Sequence, residues 1–269
     1  MSCLGLASQR NITDIKTGAV IYPILLNQLT AQIGFGWTVR IMGFIMLGTM
    51  LPVVALMRLR NPPSGTKRAL INLRTFRDTT YLLCCFGFFV GFLGLYVFYY
   101  YIQLYAIDVT GTKPRLAFYL LAILNAASFF GRLLPNYAAG YLGPMNTQVF
   151  FGALSGILSF CLLAITNTPG VIAFSALYGF VSGPFVSLPI PVIASVSPDK
   201  NVLGTRLGMS FAFIGFGVLI GEPVAGAILG SSLNWAGLII WCGVMLMASS
   251  VIIGAARVVK TGPVLKRKS

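Results

Sequence analysis

Long apolar runs recur along almost the whole chain and constrain its fold more than any other feature. Eight runs can be marked, each nearly free of charge, at approximately residues 18–33, 39–57, 81–107, 117–142, 148–165, 171–196, 203–229 and 238–256. A helix rises about 1.5 Å per residue and the bilayer hydrocarbon core is about 30 Å thick, so about 20 residues span it. The runs therefore predict an all-α integral membrane protein of about eight transmembrane helices, the first of them short and containing three amide side chains.

The composition does not suit a water-soluble fold, and it excludes three common kinds of catalytic site. Only 9% of the 269 residues are charged, whereas soluble domains carry about a quarter. The chain has no histidine, and its five cysteines form no C-x-x-C pair. A His-ligated metal site, a Ser-His-Asp triad and a Cys-His dyad are thereby excluded, so we expect neither an enzyme nor a cofactor.

The net charge of +14 is explained by membrane topology rather than by nucleic-acid binding, because the basic residues lie in the gaps between apolar runs. With eight helices, one side of the membrane holds Arg10, Lys16, Arg58, Arg60, Lys67, Arg68, Arg74, Arg77, Arg132, Lys200, Arg206, Arg257, Lys260, Lys266, Arg267 and Lys268. The other side holds Arg40, Lys113 and Arg115. Because positive loops remain in the cytoplasm, both termini are predicted to be cytoplasmic.

This topology divides the chain into five segments. Residues 1–17 form a cytoplasmic N-terminal segment, 18–57 two transmembrane helices, and 58–78 a basic linker. Residues 79–257 form six further helices, and 258–269 a basic cytoplasmic tail. The linker is interpreted as a plain connection, although its charge and prolines also suit an amphipathic segment lying on anionic lipid.

Arg132 is the most informative single residue, because it lies well inside an apolar run. A charged side chain at membrane depth costs several kcal/mol unless it faces a partner or a wet cavity. It is therefore a candidate for binding an anionic substrate. The alternative is an arginine that reaches the cytoplasmic interface along its aliphatic stem.

Other polar residues inside the runs are weaker candidates. A polar-aromatic cluster occupies the outer half of the third run, and from it Tyr100 and Gln103 are chosen as possible cavity residues beside Asn125 and Arg132. Interfacial tyrosines are more often membrane anchors. Glu222 is the acid that falls inside a run, and it is a weak candidate for proton coupling because such carboxylates are usually buried deeper.

Small residues at four-residue spacing predict close helix packing, and prolines predict breaks. Such spacing lets helix backbones approach, and broken helices are frequent at transporter binding sites and gates. The candidates for packing or gating are Gly131, Gly179, Gly183, Pro184, Gly204, Arg206, Gly208, Gly217, Gly221 and Pro223. Pro189 and Pro191 add to the break that Pro184 begins.

Several stretches resemble fungal monocarboxylate-transporter-like proteins of the major facilitator superfamily, the group that includes riboflavin and monocarboxylate permeases. The stretches that carry this resemblance are FYYYIQLYAIDVTG, GRLLPNYAAGYLGPMN, SGPFVSLPIPVIASVSPDKNVLGTRLGM and the glycine-rich helix after it, together with IYPILLNQLTAQIGFGWTVRIMGFI. The likeness covers about residues 18 to 257 and assigns the chain to helices five to twelve of a twelve-helix fold, so that the first four helices are missing.

The resemblance implies a central cavity that is opened alternately to the two sides of the membrane. It places Arg132 where such transporters have an arginine that meets the substrate carboxylate. The aspartate they carry four residues earlier is Ser128 here, which puts proton coupling through that pair in doubt. The implied function is secondary transport of a small organic solute, a monocarboxylate or similar anion, across the plasma or vacuolar membrane.

Two other interpretations remain open from the sequence. A truncated or degenerate paralogue would lack transport activity and act at most as a membrane interaction protein. A membrane-embedded enzyme has the least support. The partners predicted are the lipid bilayer and a small-molecule substrate, and not nucleic acid; proton coupling is left open. The sequence leaves the oligomeric state, the substrate and the coupling ion undetermined.

Overall fold

A computed structural model describes residues 2–56, 73–197 and 200–262, which are helical apart from turns and contain no strand. Within these ranges seven helices are long and apolar enough to cross a membrane. The chain divides into two compact units, Met1–Ala69 and Leu70–Ser269. Most of the predicted linker and of the basic tail lies outside the described residues.

The first unit contains helix α1, Ser2–Leu56, which is interrupted at Gly34. Gly34 has φ 78° and ψ 163°, a conformation that glycine adopts without a steric penalty. The predicted turn at residues 34–37 is therefore present as a break. The segment Gln32–Leu56 is one of the seven candidate spans, whereas the predicted run at residues 18–33 is not, so the described residues hold one span fewer than the expected eight.

The second unit contains six candidate spans, built from helices α2 to α9. The bounds are α2 Thr79–Leu95, α3 Val97–Asp108, α4 Pro114–Leu142, α5 Pro144–Cys161, α6 Thr168–Ser187, α7 Pro189–Val196, α8 Lys200–Leu229 and α9 Trp235–Thr261. Helices α2 and α3 form one span broken at Tyr96, and α6 and α7 form another broken at Leu188. A short 3-10 turn, Leu162–Ala164, extends the span of α5.

Asparagine or aspartate side chains cap the N-termini of three of these helices. Asp78 accepts a hydrogen bond from the Tyr81 backbone N–H at the start of α2. Asn167 accepts from Gly170 at the start of α6, and Asn234 accepts from Gly237 at the start of α9. Such caps satisfy backbone donors that have no partner inside the helix.

Close glycine contacts give the direction of each helix relative to its neighbour. A Cβ on Gly179 or Gly183 of α6 would meet the carbonyl oxygen of Leu124 or Ser128 on α4, so these two helices run parallel. Gly217 and Gly221 of α8 lie in the same way on Phe89 and Leu93 of α2.

Helix α9 runs antiparallel to α2, because Gly87 meets Ile253 while Gly91 meets Ser249. Helices α5 and α9 also pack against each other. For the three helix pairs α4 with α6, α2 with α8, and α2 with α9, the directions are those that spans alternating along the chain require. The buried core contains mainly aromatic and aliphatic side chains from α2, α3, α6 and α9.

Candidate functional site

At each of the two breaks in the spans of the second unit, a polar side chain of a neighbouring helix forms a hydrogen bond. The break at Tyr96 frees the carbonyl group of Leu95 from the helical ladder. The hydroxyl of buried Tyr178 on α6 donates a hydrogen bond to that carbonyl oxygen at 3.0 Å. A freed backbone group at membrane depth must find such a partner, so the break is built into the packing.

The second break follows Ser187, where Pro189 begins α7. Pro184, by contrast, lies inside α6 without ending it, and Pro223 lies inside the continuous helix α8. Ser187 exchanges hydrogen bonds with Asn136 of α4 at 3.0 and 3.2 Å. The proline-rich run thus breaks at Pro189, whereas Pro223 produces no break.

Arg132 lies on α4 beside α6. Its backbone N would be 3.1 Å from a Cβ on Gly183, so the glycine allows the two helices to meet at this point. The side chain is half-buried, and its Nε atom is buried with no hydrogen-bond partner. Among the described residues the ion pair is Arg206–Asp78, so no carboxylate there neutralises Arg132.

Two tyrosines of the broken span lie near this arginine. Arg132 interacts electrostatically with Tyr99 and Tyr96, both of which are half-buried. The Tyr99 and Ser182 hydroxyls form a hydrogen bond of 3.1 Å, which ties α3 to α6. Arg132, Tyr96, Tyr99 and Ser182 therefore form one cluster, which we call the Arg132 cluster.

The other sequence candidates for substrate binding lie at separate positions. Tyr100 is 67% exposed and makes no hydrogen bond within the described ranges. The Gln103 side chain donates to the Phe118 carbonyl oxygen of α4 at 3.4 Å, and Asn125 donates to Leu121 within its own helix at 3.0 Å. Asn125 precedes Arg132 by seven residues, hence by two helical turns, or about 10 Å along α4.

Sequence reasoning did not single out Tyr96, Tyr99 and Ser182 as site residues. Tyr99 belongs to the polar-aromatic cluster of the third apolar run, but consecutive helical residues point in different directions. The sequence does not say which of them faces inward. The sequence signal for the helix face that bears these tyrosines is a set of residues three, four and seven positions after Tyr96, namely Tyr99, Tyr100 and Gln103.

The packing candidates fall into two groups. Five of the glycines contact a neighbouring backbone so closely that a Cβ would lie less than 3.0 Å from an atom there: Gly131, Gly179, Gly183, Gly217 and Gly221. A Cβ on Gly204 or Gly208 would meet no atom within 4 Å in the described part of the chain. A packing or gating role for these two remains a prediction.

Arg206 takes part in a network at the end of the unit where α2 and α8 begin. Its Nη1 atom donates to Asp78 Oδ2 and to the Val196 carbonyl oxygen, each at 3.0 Å. The guanidinium lies over the Tyr81 ring, 5.0 Å from its centroid, and the Tyr81 hydroxyl donates to the Arg206 carbonyl oxygen. Helices α2, α7 and α8 are joined by these contacts.

Two further acids, Asp108 and Glu222, lie outside this network. Trp235 Nε1 donates to Asp108 Oδ2 at 2.6 Å, which links the end of α3 to the start of α9. Glu222, the candidate for coupling, is half-buried on α8 and forms no ion pair with the residues described.

Comparison with known proteins gives this architecture a family context, although no family model matches the chain. The MFS-type transporter dbaD of Emericella nidulans is 41% identical over 254 residues, which are 94% of this chain and 57% of that protein. The MFS-type transporter pynF of Aspergillus niger is 36% identical, covering 92% of this chain and 58% of the relative. The aspyridones efflux protein apdF of Emericella nidulans is 35% identical, covering 92% and 50%.

The chain thus spans between half and three-fifths of these relatives. The seven apolar helices and the named relatives together indicate a multi-pass integral membrane protein. The chain is homologous to fungal MFS-type transporters, and its fold is part of the major facilitator superfamily fold.

Proposed function

We propose that this chain is part of a secondary active transporter that carries a small organic anion, a monocarboxylate or a similar solute, by alternating access. The observation that carries the proposal is Arg132, a cation with a buried Nε atom that has no hydrogen-bond partner and no carboxylate beside it in the described residues. Such a cation inside a membrane protein is stabilised by an anionic ligand. The plasma membrane or the vacuolar membrane is the proposed location.

The relatives support outward transport as the direction, since one of them is named as an efflux protein. The broken spans that contact the Arg132 cluster also support the proposal, because substrate sites of such transporters are typically built from discontinuous helices. Within this mechanism Gly131, Gly179 and Gly183 would hold α4 and α6 together as one body. Arg206 would hold the end of the unit at Asp78, and Glu222 is the candidate for coupling to protons.

The test compares transport of a labelled monocarboxylate with that of the alcohol of the same carbon skeleton, in membrane vesicles that contain the protein expressed from its gene. We expect saturable transport of the anion in the wild type. Replacing Arg132 by Gln should reduce it by about tenfold or more, because a hydrogen bond to a charged group contributes about 1.5–3 kcal/mol. Arg132→Lys should retain part of it.

Arg115→Gln is the matched control, because this arginine lies exposed near the start of the same helix. Its transport should equal that of the wild type. Anion transport that survives Arg132→Gln unchanged would contradict the anion role. A stably expressed protein with no saturable transport of any anion in a graded series would contradict the transporter proposal itself.

A further inference from the structure

The Arg132 cluster continues into a wall of aromatic rings, and this wall bears on the kind of anion that fits. The rings of Tyr96 and Tyr99 meet nearly edge to face, with centroids 5.5 Å apart. Tyr96 contacts Phe92 at 5.8 Å, and Phe92 contacts Phe185 of α6 at 5.6 Å. We call Phe92, Tyr96, Tyr99 and Phe185 the aromatic wall.

The wall has a covered layer and an open layer. Phe92 is 4% exposed and Phe185 is fully buried, so these two rings form the rear. Tyr96 and Tyr99 are only half-buried. Tyr99 is bonded to Ser182, which precedes Gly183, and a Cβ on Gly183 would lie 3.1 Å from the Arg132 backbone N, so these two rings lie on the side of α6 that meets Arg132. A ligand bound to the guanidinium would therefore lie beside tyrosine rings.

Hydrogen bonds hold the backbone next to Tyr96 and the side chain of Tyr99. Tyr96 sits at the break between α2 and α3, and the Tyr178 hydroxyl holds the backbone there through the Leu95 carbonyl oxygen. The Tyr99 hydroxyl is bonded to Ser182, whose own side chain is buried. Ordered rings of this kind need no rearrangement to receive a flat ligand, which lowers the entropic cost of binding.

From this arrangement we propose that the preferred substrate is an aromatic organic anion, with its acidic group on Arg132 and its ring system against Tyr96 and Tyr99. The inference rests on the proposed function and narrows its substrate class. An aliphatic anion would satisfy the arginine but not the ring-to-ring geometry, and a neutral aromatic compound would leave the cation unpaired. Aromatic pairs contribute energy beyond the apolar area that they bury.

Three probes of matched shape test this in the purified protein, expressed from its gene and placed in lipid nanodiscs. They are 2-naphthoate, decahydro-2-naphthoate and 2-naphthalenemethanol, and equilibrium dialysis gives their dissociation constants. We expect 2-naphthoate to bind at least about fivefold more tightly than its saturated analogue, because two ring contacts are involved. The neutral alcohol should bind more weakly than 2-naphthoate.

Variants assign the preference to the two rings. Tyr96→Leu combined with Tyr99→Leu should reduce the ratio between the two carboxylates to about one, whereas Tyr99→Phe should preserve it, because the ring remains. Tyr141→Leu is the matched control, since this tyrosine is 64% exposed near the end of α4. Each variant is first compared with the wild type in size-exclusion profile and melting temperature.

The outcomes separate this inference from the function on which it rests. Equal binding of the two carboxylates by the wild type, or a preference that persists without the two tyrosine rings, overturns the aromatic substrate class while the anion transporter stands. If Arg132→Gln leaves the binding of both carboxylates unchanged, or if the wild type binds neither, the proposed function and this inference both fail.

Discussion

At the residue scale, Asp78 has two roles, and the sequence alone predicts neither of them. Its carboxylate caps α2 through the Tyr81 backbone N–H and also pairs with Arg206, which is 6% exposed. Removing one partner of a buried ion pair leaves an uncompensated buried charge. The resulting loss of stability is larger than the net stability that the intact pair contributes.

Asp78→Asn should therefore lower the free energy of unfolding by about 1.5–3 kcal/mol, because it removes a charge-assisted hydrogen bond while leaving a capping side chain. The Asp78 side chain is one-third exposed, which keeps the effect below that of a fully buried pair. Thermal unfolding in detergent measures it.

The double variant Asp78→Asn with Arg206→Gln provides the control for this prediction. With the charge removed from both partners, it should lose less stability than the two single variants added together. Strict additivity of the two losses would show that the residues do not interact energetically.

The element scale shows which consequences of a glycine pattern are predictable. Spacing of four marks Gly179/Gly183 and Gly217/Gly221, where an added Cβ would meet a neighbouring backbone. It equally marks Gly204/Gly208, where an added Cβ would meet no atom within 4 Å in the described residues. The spacing defines a narrow stripe on one helix, whereas contact also requires a second helix opposite that stripe.

Gly131→Ala tests the contact between α4 and α6. Its Cβ would lie 2.0 Å from the Phe180 carbonyl oxygen, a backbone atom that cannot turn aside, so the helices must separate. We expect a loss of about 1–3 kcal/mol of stability, as for an overpacked core, measured by thermal unfolding.

Gly254→Ala is the matched change on α9, because its Cβ would meet only Val149 methyl groups at 3.9 Å. Alanine is the better helix former, so this variant should be neutral or stabilised by up to about 1 kcal/mol. A Gly131→Ala protein as stable as Gly254→Ala would contradict the close approach.

Helix breaks were only partly predictable. Proline removes a backbone donor, so the break before Pro189 follows from the sequence. The break at Tyr96 contains no proline and depends on Tyr178, which lies 82 positions later in the chain and supplies the hydroxyl for the Leu95 carbonyl oxygen. A local sequence pattern does not contain that distant partner. For this reason the sequence does not show that Tyr99, and not Tyr100, is the inward-facing residue.

At the scale of the whole molecule, apolar length and composition predict six spans in the second unit, and the described residues of that unit contain six helical segments long and apolar enough to cross a membrane. The directions of these spans follow from glycine contacts that the sequence does not specify. The side of the membrane on which each end lies remains a prediction from the basic residues.

Cysteine labelling tests this orientation. A membrane-impermeant maleimide applied to intact cells should label Thr166→Cys and Ser231→Cys, which lie in turns at the end of the unit opposite Asp78, but not Ser197→Cys. After the cells are permeabilised, the maleimide should also label Ser197→Cys. The reverse pattern would invert the predicted topology, because the basic end would then face outward.

The two broken spans share a consequence that concerns rates. Tyr178 to Leu95 and Tyr99 to Ser182 join the span Thr79–Asp108 to the span Thr168–Val196 on both sides of the Tyr96 break. Neither span can change its bend alone without losing one of these hydrogen bonds, each of which contributes about 1 kcal/mol. We therefore expect the two spans to bend together, and fluorophores placed on either span should relax with a single shared time constant.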